Sequence, residues 1–322
     1  MGESVVAASR TAVIVLNWNG AGDTERCLEN LLRLAADDFS IFVCDNASSD
    51  DSVARLRAWQ QDRLPALNAM RATDIQMRLI ETGGNLGYAG GNNVALRAAL
   101  AEGFSSFWIL NNDCEPEPDS LCWLRRRLAE DPAIGLCGST LVYAHDRRRV
   151  QALGGGSFSR LKGRGAAIGG LSDARLTIDQ ASVERRLRFV NGASMLVTRA
   201  FIETVGLMSE DYFLYWEELD WAARSGGRFR LGYAPQSIVR HKVGASIGTS
   251  DFGWGSALSV YYLTRNRVRF CWRHSRWSLP FVYADIARQV ARQCVTGNWP
   301  RARLLARAMA GFPFASATGG IA

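Results

Sequence analysis

The chain of 322 residues contains no uninterrupted apolar run of the ~18–20 residues that a bilayer-crossing helix needs. Its first residues lack a basic segment followed by an apolar core and a small-residue cleavage site, so no export signal is expected. Seven cysteines (Cys27, Cys44, Cys114, Cys122, Cys137, Cys271 and Cys294) form no Cys-x-x-Cys pair and no zinc-like spacing. An odd number without a framework points to free thiols in a reducing cytoplasm, all of them packing residues. No internal repeat is visible. No Gly-x-Gly-x-x-Gly follows the first apolar run, which argues against a dinucleotide site. No Ser-His-Asp or Cys-His arrangement suggests a covalent nucleophile. From Gly253 onward there is no lysine and a single acid, Asp285, against ten arginines, a net +9 in a chain of net +7. The remainder is therefore slightly acidic.

What is present is the composition of an ordered globular protein, 48% hydrophobic and 21% charged. Over the first 145 residues strand and helix patterns alternate. Short apolar runs at 11–17, 40–45, 77–82, 106–112 and 133–143 read as buried strands. Segments 23–35, 49–59, 93–103 and 118–131 read as helices, the first capped by Asp23. This rhythm predicts an α/β fold with a mostly parallel sheet covered by helices. A Gly-rich stretch at 152–170 reads as a long mobile loop or hairpin. A strand and helix follow at 188–206, then a turn or strand into a helix at 212–227. Two short strands precede His241. The pattern is helical beyond about residue 250, which gives a domain at 1–250 and a helical, Arg- and Trp-rich extension at 251–322.

In an open parallel sheet, ligands bind outside the carboxyl ends of the strands. Here four successive strands end in polar residues: Asn17-Trp18-Asn19-Gly20, Asp45-Asn46-Ala47-Ser48, the segment "TGGNLGYAGGNN" at 82–93, and Asn111-Asn112-Asp113. The Gly-rich loop opens a helix and is either a turn or a cradle for phosphate. Asp113 beside it suits Mg²⁺ or Mn²⁺, hard ions bound through one or two carboxylates plus substrate phosphates, unless it caps the next helix. Glu115 and Glu117 read as solvated carboxylates of that helix's first turn. In "YFLYWEELDW", Glu217, Glu218 and Asp220 follow an aromatic wall, and a carboxylate near rings can act as a general base or stand on a helix surface. Glu217 and Glu218 cannot share one helix face. His241 is a structural histidine or a ligand.

Taken together, "VIVLNWNG", "VCDNASSDDS", "NLGYAGGNN", "WILNNDCEPEPDSL", "NGASMLVTRAFIETVGLMSEDYFLYWEELDWAARSGGRF" and "YYLTRNRVRF" resemble the family 2 inverting glycosyltransferases of GT-A fold, in their rhamnosyltransferase-like branch. The pieces stand in that family's order across about residues 11–270. The resemblance implies a nucleotide-diphosphate sugar donor, here dTDP-rhamnose, with UDP-hexose or UDP-N-acetylhexosamine as the alternative. It implies a glycan or polyprenyl-diphosphate-linked acceptor. Asn17 and Asn19 would border the nucleotide pocket. Asp45 would face the base, with Asn46 and Ser48 nearby. Asn85, Gly87 and Gly91 would shape the wall around ribose and diphosphate. Asn111, Asn112 and Asp113 occupy the place of the metal-binding Asp-x-Asp motif, with Asn111 replacing its first aspartate. Glu217 and Glu218 stand where the acidic pair supplies the base, and Glu218 is favoured as its second member. His241 would complete the metal site, and Trp216 resembles an acceptor-site aromatic. A nucleotide-binding protein without transferase activity is the alternative of another class.

The basic extension interleaves Trp254, Trp272, Trp277 and Trp299 with arginine. Such a segment can pack as a helical unit with a solvated face, or lie on an anionic membrane with indoles at the interface. Basic aromatic patches also bind polynucleotides, but no such module is present and nucleic acid is not expected. A cytoplasmic enzyme, peripheral on the inner face of the plasma membrane, is the resulting expectation.

Overall fold

The computed structural model describes residues 10–36, 38–242 and 255–314. The first half runs β1 (Thr11–Asn17), α1 (Ala21–Leu31), β2 (Phe39–Asp45), α2 (Ser52–Ala58), α3 (Leu64–Arg71), β3 (Met77–Glu81), α4 (Gly87–Ala101) and β4 (Ser106–Asn111). It continues with β5 (Cys114–Pro116), α5 (Ser120–Glu130), β6 (Ile134–Tyr143), β7 (Val150–Leu153), β8 (Gly155–Ser159), β9 (Arg164–Ala167) and α6 (Gln180–Arg186). Then come β10 (Phe189–Val190), β11 (Ser194–Thr198), α7 (Arg199–Val205), α8 (Glu217–Arg224) and β12 (Arg230–His241). Helices α9 (Ala257–His274), α10 (Leu279–Val295) and α11 (Trp299–Met309) close the described chain.

Among the described residues one sheet holds nine strands, ordered β3-β2-β1-β4-β11-β6-β12-β5 with β7 beside β6. Strands β1, β2, β3, β4, β6 and β12 share one direction, and β5, β7 and β11 oppose it. The sheet is therefore mostly parallel, as its alternating helices require. Each strand divides its side chains between two core layers. Val13 and Val15 pack with Cys27, Leu28 and Leu31 of α1. Ala12 and Ile14 pack with Ala95, Leu96 and Ala99 of α4.

Several local expectations are corrected by tertiary packing. Gly20, not Asp23, precedes α1, and Asp23 sits in the first turn, paired with Arg26 and Lys242. Helix α4 begins at Gly87, six residues earlier than its apolar pattern suggests. Its glycines are tolerated because Gly91 lies so close to Leu16 that a Cβ there would collide with it. The two strands expected before His241 are one strand, irregular between Ala234 and Ile238 around Pro235, where a proline cannot donate to a ladder. Of the two readings of the Gly-rich 152–170 stretch, loop or hairpin, the hairpin holds: β8 and β9 pair, and β10 completes a small sheet. Cys122 is exposed and Cys294 half-exposed, so packing accounts for the other five cysteines only.

The expected boundary at residue 250 falls outside the described residues, as does Trp254. Helices α9 and α10 are not a separate body. Phe270, Cys271, Leu279, Val282 and Ile286 share one apolar core with Tyr212 and Leu219.

Arg127 of α5 and Glu184 of α6 make a two-pronged ion pair at 2.8 and 2.9 Å, with side chains 10% and 7% exposed. Glu184 also accepts from the Tyr233 amide at 2.9 Å, which ties α6 to β12. Replacing Glu184 by Ala is expected to cost about 2–3 kcal/mol in urea unfolding, because a buried guanidinium loses its principal partner.

Candidate active site

The four polar strand ends meet at one rim. The register aligns Asn17 with Asp45, Asp45 with Glu81, and Leu16 with Asn111. Sequence places these residues correctly along the sheet, but many face one another instead of the open rim. Asp45 is 1% exposed. One of its oxygens accepts from Asn17 and Ser48 Oγ, both at 2.7 Å, and the other from the Ser48 amide at 2.9 Å. Asn17 Oδ1 accepts from Thr24 at 2.7 Å, and Asn112 Nδ2 donates to the same Thr24 at 3.1 Å. Asn19 Oδ1 accepts from the Ser49 amide at 2.7 Å, and its own amide donates to Ser48 Oγ at 2.9 Å. Asp45 and Asn112, read from sequence as donor contacts, are thus buried braces: Asp45 ties the end of β1 to the turn after β2, and Asn112 ties the turn after β4 to α1.

The Gly-rich loop is also self-satisfied. Leu86 donates its amide to Asn46, Gly87 to Asn85, and Tyr88 to the Phe213 carbonyl at 2.9, 3.0 and 2.6 Å. Asn46 Nδ2 donates in turn to Asn85 Oδ1 at 2.9 Å. The first amides of α4 are therefore occupied by protein and do not form an open phosphate cradle. Gly87, at φ +70, lets the helix touch the 213 carbonyl, where a Cβ would collide. Open space remains over Gly83 and Gly84.

Asp113 follows β4 and precedes the short β5, which pairs antiparallel with β12 and sets Cys114 opposite His241. Glu115 lies within β5 and Glu117 directly after it, not in a helical turn, and both pair with Arg240. His241 Nε2 stands 3.2 Å from Asp113 Oδ1, and Gln151 Oε1 lies 2.8 Å from His241 Nδ1. An amide oxygen only accepts, so Nδ1 carries a proton. The Nε2–carboxylate contact is then satisfied by a second proton or by a cation between the two atoms. Burial would raise the Asp113 carboxyl, but His241 and Lys242 outweigh it and hold the group below the usual carboxylate range.

Asp113, Cys114 and His241 present ligand atoms within 4.8 Å of one another. The carboxylate suits a hard divalent ion such as Mn²⁺ or Mg²⁺, and the imidazole nitrogen of His241 favours a transition metal such as Mn²⁺ over Mg²⁺. Cys114 fits poorly. Its thiol is raised well above its ordinary value, first by burial and then by Asp113, and it donates to the Ala193 carbonyl at 3.3 Å. Asn111 ends β4 with its amide on that same carbonyl at 3.1 Å.

The acidic pair opens α8 behind a strained turn. Phe213 (φ 63°, ψ −52°), Tyr215 (φ 64°) and Trp216 (φ 78°, ψ −10°) all have left-handed backbones. Leu214 donates to the Tyr212 carbonyl two residues back, a tight γ-turn. Each such residue costs about 1–3 kcal/mol that surrounding contacts must offset. The turn places Glu217 inward and sets Glu218 against the backbone of Gly192. Glu217 is 2% exposed, and its Oε2 has no hydrogen-bond partner. Burial, and then the Glu218 charge, raise its carboxyl well above the ordinary value. Glu218 remains partly exposed and accepts from the Gly192 amide at 3.2 Å. Burial raises it too, against the pull of that amide. Asp220 is a structural carboxylate, holding Tyr212, His274 and Arg224 at 3.0, 2.7 and 2.8 Å. Trp216 packs its ring 5.4 Å from Phe270 and edge-on to Phe158.

Both centres rest on one turn. Ala193 receives Asn111 and Cys114 from the Asp113 side. Gly192 donates its amide to Glu218, and its carbonyl accepts Tyr88 Oη at 2.8 Å. A Cβ at Gly192 would fall 2.5 Å from both Glu218 Oε1 and Tyr88 Oη. In the sequence the segment "NGAS" carries no signal of this role, and no motif or spacing marks Gln151, Thr24 or Tyr88. A cavity of about 680 Å³ lies beneath the far half of α8, lined by Arg160, Leu219, Ala223, Phe270 and His274 among others, and includes neither Asp113 nor Glu218.

Residues 12–168 match the family described as glycosyl transferase family 2. The chain is 26% identical over 288 residues to the N-acetylglucosaminyl-diphospho-decaprenol L-rhamnosyltransferase of Mycobacterium tuberculosis, covering 83% of this chain and 88% of that one. It is 23% identical over 219 residues to a low-salt glycan biosynthesis hexosyltransferase of Haloferax volcanii, covering 66% and 61%. Its fold superposes with a TM-score of 0.55 on the mannosyltransferase of Pyrobaculum calidifontis solved with GDP-Man and Mn²⁺, at 18% identity over 94% of this chain and 86% of that one. The α/β architecture is of the GT-A type.

The buried Glu217 is expected to be a neutral carboxylic acid at pH 7. Infrared difference spectra should show a protonated carboxyl stretch in the wild type that Glu217→Gln removes. Persistence of that band in the variant, or its absence from the wild type, contradicts the assignment.

Proposed function

We propose that this glycosyltransferase moves L-rhamnose from dTDP-rhamnose to a polyprenyl-diphosphate-linked saccharide during cell-surface polysaccharide synthesis, with inversion at the anomeric carbon. The observation that carries the catalytic part is the Asn191–Ala193 turn, which binds the Asp113 strand on one side and Glu218 on the other. A leaving-group site and a base are thereby held on a single rigid support, as one in-line displacement needs. The printed name of the mycobacterial relative supports rhamnose and a lipid-linked acceptor. The name of the Haloferax relative, a hexosyltransferase, supports the alternative of a hexose donor.

In this proposal Glu218 is the base. It is the partly exposed member of the pair, and the Gly192 amide aims it. It takes the proton of the acceptor hydroxyl as that oxygen attacks the sugar from the face opposite the diphosphate. Glu217 stays neutral beside it and adds no charge. Trp216 offers an aromatic wall to the acceptor. Asn19, Ser48 and Asn85 border the nucleotide, while Asp45, Asn17, Asn46, Gly87, Gly91 and Asn112 hold that border in place. Asn111 stands at the diphosphate side of the rim. Asp113 and His241 would hold Mn²⁺ or Mg²⁺, which when bound would neutralise charge on the departing diphosphate.

The α9–α11 extension is proposed to rest on the inner face of the plasma membrane. Among the described residues no helix is long and apolar enough to cross a membrane. Trp272, Trp277, Phe281 and Trp299 are each more than half exposed, in a segment rich in arginine. Replacing Trp272 and Trp277 by Ala should reduce cosedimentation with vesicles containing anionic lipid, and unchanged binding overturns the proposal.

Thermal-shift screening with dTDP, UDP and GDP plus Mn²⁺ should single out one nucleotide, since stabilisation follows affinity. With the matching donor, Glu218→Gln should lower turnover by about 10²–10⁴-fold while donor binding persists. Asp113→Asn should abolish transfer with the fold intact. Because Glu218 acts deprotonated and its carboxyl is raised, the acid limb of the rate profile should lie above the ordinary glutamate value of about 4.3. Loss of turnover in Glu217→Gln but not in Glu218→Gln reverses the assignment of the base.

A further inference from the structure

The segment "YYLTRNRVRF" has no part in the chemistry above, yet it lies directly against the turn that presents Glu218. We propose that Asn266 of α9 is a positioning residue that holds this turn in its left-handed form, so that the C-terminal helices complete the active site. The inference rests on Glu218 as the base.

Asn266 is wholly buried. Its amide nitrogen donates to the carbonyls of Tyr212, Leu214 and Tyr215 at 2.7, 2.8 and 3.1 Å. Two N–H groups thus serve three acceptors, one of them shared. The amide orientation is fixed by Arg265, whose guanidinium donates to Asn266 Oδ1 at 3.2 Å. Left-handed residues at Phe213 and Tyr215 turn these carbonyls toward one side, away from any ladder of regular structure. Without Asn266 three carbonyls would lack this buried donor, and the turn would gain by relaxing to right-handed backbone.

The rest of α9 is shaped to the same turn. Tyr262 stacks on Phe213 at 5.0 Å, Ser259 meets Tyr215 Oη at 3.1 Å, and Arg269 donates to the Asp211 carbonyl at 2.7 Å. On the opposite side the Phe213 carbonyl receives the Tyr88 amide. The turn is therefore clamped between α4 and α9, and its last residue, Trp216, is the residue before the acidic pair. Relaxation of the turn would rotate α8 at its first residue and move Glu218 off the Gly192 amide.

The test uses the full chain with Asn266→Ala and Asn266→Gln, read by kinetics with the donor that the wild type turns over and by hydrogen exchange with mass spectrometry. In Asn266→Ala, kcat should fall by about 100-fold with donor KM within threefold, the scale expected of a misplaced reactive group. Exchange should rise in peptides covering 211–220 and stay unchanged at 11–17 and 39–46. Asn266→Gln, which keeps an amide, should recover at least part of kcat and of the local protection. A kcat within threefold of wild type, or unchanged exchange at 211–220, overturns the proposal. Equal loss of protection throughout the chain and of donor binding also overturns it, since that marks a merely structural role. If Asn266→Ala does not fold, Asn266→Gln is judged by the same criteria with a smaller effect. If the wild type turns over no donor, the functional proposal fails, and the exchange measurement alone decides the clamp.

Discussion

The arrangement of the site depends on the lack of room at Gly192. At this position the chain passes between the Glu218 carboxylate and the Tyr88 hydroxyl, and any side chain would strike both. The close approach lets the backbone act where a side chain would otherwise be needed. The amide of Gly192 meets Glu218, its carbonyl meets Tyr88, and the next carbonyl, of Ala193, takes Asn111 and Cys114. Backbone has few rotamers to lose, so two centres drawn from residues a hundred positions apart are fixed at little entropic cost. The reversal at β11 makes this possible. That antiparallel strand enters the sheet between β4 and β6 and starts one residue beyond Ala193, at the end of the sheet where β4 finishes.

The polar rim has a second function, which is to hold itself together. The buried residues Asp45, Asn17, Thr24 and Asn112, together with the half-buried Ser48, form a connected hydrogen-bonded network. In a low-dielectric setting such a network is rigid when satisfied and costly when broken. It joins the ends of β1 and β2 to the first turn of α1 and to the turn after β4. The surface left for the proposed donor nucleotide is correspondingly narrow, limited to residues such as Asn19 and the outer side of Ser48 and to the open backbone at Gly83–Gly84. Polar residues at a strand end can thus mark a site while facing away from it.

That distinction explains what was legible in the sequence. Strand positions were clear because apolar runs end abruptly in asparagine and aspartate, and their meeting at one rim follows from parallel register. The start of α4 was hidden because helix propensity disfavours the very glycines that its contact with Leu16 requires. The roles of Glu115 and Glu117 were hidden because Arg240 reaches them from a strand more than a hundred residues away. Asp45 was assigned by position, but its direction is decided by Asn17 and Ser48, which no spacing rule reports. Asn266 was harder still. It holds carbonyls 51–54 residues earlier, and backbone acceptors leave no residue pattern to read.

Asn111 and Glu217 have a common consequence for charge. A GT-A site that binds a diphosphate and develops more negative charge on it has reason to limit its own anions. At the proposed metal position Asn111 and Asn112 are neutral, so Asp113 is the carboxylate beside His241. At the proposed base, burial raises the Glu217 carboxyl well above its ordinary value and so disfavours its charge, while Glu218, partly exposed and held by the Gly192 amide, is the proposed ionised member of the pair. Each additional buried carboxylate would repel the donor across a short distance in a poorly screened site. With fewer protein charges to hold it, a divalent ion would bind more firmly together with the donor diphosphate than before it, because the phosphate oxygens complete a ligand set that Asp113 and His241 only begin.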